Sequence, residues 1–159
     1  MILDTSLPLS SALNPTELDV FNSLNQDVYG LELATKVIDK LKKLPASRDG
    51  YDVITNGLYH SHRDYCGIGL FFTREKFLLG EVNDGMGPSI DLIVFDNEKE
   101  FLNWLAIQSD QSMSLMVRKD NLSFNFNNQT ITKIRLEYFL EDEYDPNWNA
   151  YCNYLRKLG

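Results

Sequence analysis

Basic side chains are scarce in this chain. Its 159 residues carry 15 Lys and Arg against 23 Asp and Glu, a formal net charge of −8. A phosphate-binding surface is built from Lys and Arg, so the balance argues against nucleic acid as a partner. It suits a basic protein partner, because opposite fields steer encounter and raise on-rates. On charge alone, the plainer reading, a charge that only keeps the protein soluble, comes first. Cysteine is almost absent: Cys66 and Cys152 alone make no disulfide framework. Cys66, in an apolar run, reads as a small buried hydrophobe. No apolar run approaches the ~20 residues of a membrane span. The first residues, Met1 to Ser6, lack a basic stretch ahead of an apolar one, so no secretory signal is expected and a cytoplasmic protein is. The segment from Asp84 to Gly87 lacks the Gly-Lys-Ser/Thr ending of a phosphate loop and runs into Pro88 and a strand. There is no Gly-x-Ser-x-Gly elbow, internal repeat or low-complexity segment. What remains is a chain that is 43% hydrophobic and 12% aromatic. That is enough for one folded domain over residues 1–159.

The chain organises around residues 51–108. Runs at 51–55, 66–72, 76–82 and 90–95 are rich in β-branched and aromatic residues, which fit a pleated, half-buried surface. The short polar connections, a turn at 73–76 and a longer Gly/Pro-bearing loop at 83–89, favour antiparallel neighbours. A helix over 97–108 follows, with Asn97 as N-cap and Glu100 completing a capping-box pattern. Phe101, Trp104, Leu105 and Gln108 share one face at i, i+3, i+4, i+7. Upstream, Asn14 and Pro15 open a helix carrying Leu18, Phe21 and Leu24. Gly30 breaks the chain, and a second helix places Leu31, Ala34, Val37, Ile38, Leu41 and Leu44 on one stripe. Lys40, Lys42 and Lys43 fall in its last turns, where the helix dipole favours cations. Downstream, 108–113 reads as a polar loop or frayed end, and 122–126 as a short strand. Around 130–141 Thr132 caps a helix bearing Ile131, Ile134, Leu136, Tyr138 and Phe139, with a strand as the rival. A last helix starts near Asp145 and Pro146, with Trp148, Tyr151, Cys152 and Leu155 on one side. The expected fold is therefore α+β: an antiparallel sheet of about four strands over 51–95, packed by N-terminal, central and C-terminal helices.

Three constellations carry chemistry. In a strand His60, His62 and Asp64 share a face, a spacing that can hold Zn²⁺. These are the only two histidines, and strand ends commonly expose His, Arg and Asp. Cys66 with His60 or His62 and Asp64 would make a nucleophile, base and orienter. Six contiguous residues rarely assemble such a set, and an apolar, Gly-flanked thiol is inert. Last, Glu137, Glu141, Asp142, Glu143 and Asp145 crowd nine residues, with Tyr138, Tyr144 and Trp148 interleaved. Such a patch is either a solvated helix end or an acidic surface with aromatic anchors for a basic partner. Asp84, in the loop expected at 83–89, is a further acidic contact candidate.

Residues 52–69, then 95–113 (Phe95-Asp-Asn-Glu-Lys-Glu-Phe-Leu-Asn-Trp-Leu-Ala through Met113), then 131–140 (Ile131-Thr-Lys-Ile-Arg-Leu-Glu-Tyr-Phe-Leu140) resemble the small immunity proteins of bacterial polymorphic-toxin and contact-dependent growth-inhibition systems. The resemblance implies a protein that is not an enzyme and needs no cofactor or metal. It would bind and neutralise a cognate toxin domain, often a nuclease, inside the producing cell. A nuclease carries a basic cleft for phosphate, which an acidic inhibitor complements. The resemblance assigns no contact residues. The candidates read from charge are Asp84, Glu137, Glu141, Asp142, Glu143 and Asp145, with Tyr144 and Trp148 as anchors.

Overall fold

The computed structural model describes residues 15–44, 57–58, 67–73, 75–83, 86–114, 131–145 and 148–159. They form an α+β arrangement in the order α1 (Pro15–Ser23), α2 (Gly30–Lys43), β1 (Gly57–Leu58), β2 (Gly67–Thr73), β3 (Lys76–Asn83), β4 (Met86–Val94), α3 (Glu98–Ala106), α4 (Asp110–Met113), α5 (Lys133–Phe139) and α6 (Trp148–Leu158). The runs expected at 51–55 and 122–126 lie outside the described residues.

The sheet has strand order β1-β2-β3-β4, each neighbour antiparallel. Three strands are long and β1 is a two-residue pairing, Leu58 opposite Leu70. Pairing of β2 and β3 runs unbroken from Gly67↔Val82 to Thr73↔Lys76, so the turn expected at 73–76 stands where its polar residues place it. Glu75 takes φ +62°, the left-handed conformation such tight hairpins demand. The loop expected at 83–89 is a correction. Asn83 pairs with Met86, so only Asp84 and Gly85 separate β3 from β4, and Gly87 and Pro88 belong to the strand. Asp-Gly is the dipeptide two-residue hairpins favour. Pro88 is tolerated because β4 lies at the edge of the strand order, where its missing N–H breaks no inner ladder. The β3–β4 register slips between Leu79 and Gly80 and again between Glu81 and Asn83.

Strand period 2 sends alternate residues to opposite faces. Ile68, Leu70, Phe77 and Leu79 face the main core, while Phe71 and Leu78, opposite each other in register, are buried outside it. A strand buried on both faces reads as a near-continuous apolar run, which is why 66–72 is so apolar.

α3 packs its expected face on this sheet. Phe101 stacks on Phe77 with centroids 4.8 Å apart, and Phe95 lies 5.0 Å from both Phe101 and Trp104. Phe101 and Leu105 are fully buried, and Gln108 is buried with its amide donating to the Trp104 carbonyl. The Asn97 side chain accepts from Glu100 N at 2.9 Å as a cap should. The return bond differs from the expected capping box: the Glu100 carboxylate accepts from Asp96 N instead of Asn97 N. The polar stretch 108–113 is a further correction. Ser109 caps a helical turn, α4, with a reciprocal box to Ser112.

α2 buries Ala34, Val37, Ile38 and Leu41 and packs against α3, α5 and β2. Leu31, expected on that stripe, is 58% exposed. The chain enters α2 through Gly30 at φ +88°, a conformation glycine adopts without a Cβ penalty. Between helix and strand at 130–141, the helix is what forms: α5 starts with the Thr132 side chain accepting from Arg135 N. Its Leu136, Tyr138 and Phe139 are buried, as is Ile131 ahead of it, while Ile134 is 42% exposed.

Candidate functional site

The acidic stretch lies where α5 ends. Leu140 N and Glu141 N each donate three residues back, to the Glu137 and Tyr138 carbonyls, and Tyr144 N donates to Glu141 O. This tightening is how a helix end satisfies its last carbonyls. Two side chains fix the turn further. Lys40 reaches over from α2 and donates to the carbonyls of Phe139 and Glu141, the latter at 3.0 Å. A cation at a helix C-terminus is favoured by the dipole as well as by the hydrogen bonds. The Tyr138 hydroxyl donates to Asp145 O at 2.8 Å and accepts from Asp145 N at 3.2 Å, closing the turn.

An aromatic cluster lies beneath. Tyr138 sits 4.7 Å from Tyr154, 5.2 Å from Tyr144 and 5.5 Å from Tyr151, centroid to centroid. Tyr144 also meets Phe139 edge-on at 5.1 Å. The Lys40 ammonium lies 4.9 Å from the Phe139 centroid and 5.1 Å from that of Tyr144, within cation–π range. Burial lowers the pKa of Lys40, and the charges of Asp142 and Glu141 oppose that shift. Burial, then the charges of Glu141 and Glu137, raises that of Tyr154, a mark of the negative potential around it.

Glu137, Glu141, Asp142, Glu143 and Asp145 are all exposed. The ion pairs among the described residues, Lys36–Glu32 and Lys42–Glu98, include none of Glu137, Glu141, Asp142 or Glu143. Two open clefts flank the turn. One, of about 440 Å³, lies between α2, α5 and α6 and is lined in part by Glu32, Lys36, Lys133, Glu137, Glu141 and Tyr154. The other, of about 560 Å³, lies between the turn and α6 and is lined in part by Tyr138, Glu141, Asp142, Glu143, Tyr154 and Lys157. Glu141 and Tyr154 line both.

The structure thus brings Glu137, Glu141, Asp142, Glu143, Tyr144 and Asp145 together on one feature. Tyr144 is partly buried and packed against the core, an anchor of the turn itself. Trp148 opens α6. Asp84 lies outside the described residues, as do His60, His62, Asp64 and Cys66. Among the described residues no group of three His, Cys, Asp or Glu could hold a metal ion, and no helix is long and apolar enough to cross a membrane.

Sequence reasoning missed Lys40 and Tyr154. Lys40 is one of three lysines ending α2, read as serving that helix's own dipole, and only the tertiary fold turns it onto α5. Tyr154 carries a local signal, since it follows Tyr151 by three and precedes Leu158 by four on the same helix.

Scans of the chain against models of protein families, curated proteins and solved structures gave no match.

Proposed function

We propose that the protein is a cytoplasmic immunity protein that binds one cognate toxin domain, a basic nuclease, and neutralises it in the producing cell. The observation that carries this reading is the pre-organised acidic turn: four exposed carboxylates without an ion pair among the described residues, on backbone pinned by Lys40 and Tyr138. Fixing a contact loop before encounter removes part of the ordering cost of association. Four like charges over seven residues repel one another, and a basic partner relieves that repulsion while its own field steers approach. The net charge of −8 extends the same field over the whole molecule. In this reading the protein acts by occupying a surface and performs no catalysis, so it uses neither cofactor nor metal.

The test replaces Glu141, Asp142 and Glu143 together with Lys. The variant keeps its circular dichroism spectrum, because all three side chains are exposed, but melts lower than the parent, because Glu141 and Asp142 no longer favour the charge of Lys40. It associates more slowly with its cognate toxin domain and protects cells less. The parent's own association rate falls with salt as screening shortens to ~10 Å at 0.1 M. A variant that binds and protects like the parent at low salt defeats this reading and makes the turn a solvated face.

A further inference from the structure

We draw no further inference here: the strongest candidate, the exposed apolar side chains of Val28, Leu31 and Ile107 where the start of α2 meets the end of α3, is a surface patch for which nothing in the structure shows what covers it.

Discussion

The hydroxyl of Tyr29 donates to Oδ1 of Asp110 at 3.2 Å, across 81 residues of chain. The same oxygen accepts from Lys133 N at 2.7 Å, and Tyr29 N donates to Gln108 O at 2.8 Å. One buried tyrosine and one carboxylate thus join the start of α2, the cap of α4 and the start of α5.

This junction sets a pH dependence. Burial first, then the charge and hydrogen bond of Asp110, raises the pKa of Tyr29 far above the ordinary tyrosine value. The folded state then holds the phenolic proton more tightly than the unfolded chain, whose tyrosines titrate near ~10. The resulting stability is fully present below pH ~10 and is lost as pH rises towards the folded value, about 1.4 kcal/mol of it by pH ~11. Tyr29→Phe gives up the hydrogen bond, about 1 kcal/mol at pH 7, but cannot ionise. Urea midpoints should favour the parent at pH 7 and converge near pH 11. Parallel losses in parent and variant would show that Tyr29 does not contribute this slope.

Lys40 should matter more than its exposure suggests. Lys40→Met keeps most of the aliphatic stem but removes the donor to the Phe139 and Glu141 carbonyls. The expected loss is about 1–3 kcal/mol, since the hydrogen bonds are charge-assisted and the cation–π contacts go with them. Hydrogen exchange should quicken at the amides of Leu140, Glu141 and Tyr144, which donate within the turn. An unchanged urea midpoint together with unchanged exchange would rule out the tether.

Glu75 holds a conformation that suits glycine. Its φ of +62° places Cβ against the neighbouring backbone. Glu75→Gly should stabilise by about 0.5–1 kcal/mol, strain relief being partly offset by the greater freedom of the unfolded chain. That corresponds to a melting temperature about 1–4 °C higher. Glu75→Ala separates strain from charge, because it removes the carboxylate and keeps Cβ. If it stabilises as much as Gly does, backbone strain is not the cause.

The elements legible in the sequence were those whose signals are local. Asn97 and Thr132 each place an oxygen at a helix start, and the apolar spacing behind them settles which face is buried. The α5 helix at 133–139 prevailed over the β-prone Thr130-Ile-Thr132 because Thr132 serves better as a cap than as a strand residue. The hairpin between β3 and β4 was misjudged because Gly87 and Pro88 read as loop punctuation, although an edge strand accommodates both. Ser109 and Ser112 concealed a capping box, since a four-residue helix has no periodicity to detect. Leu31 fits the α2 stripe by spacing yet lies beyond the region its neighbours cover. The acidic residues of the candidate site were visible as a run. The clefts beside them were not, because they depend on α2, α5 and α6 meeting in space.

Lys40 and Phe139 stand 99 residues apart in sequence, and this separation has a consequence for folding order. Closing so long a loop costs chain entropy before any contact rewards it, so contacts of this kind form late and slow the overall rate. During synthesis α2 emerges long before α5 exists, and its buried face must wait for the residues that cover it. The turn's own hydrogen bonds are local, and the Lys40 tether that completes it is the part that forms late. A chain truncated from its start through α2 would carry the same carboxylates without the Lys40 tether that holds their backbone.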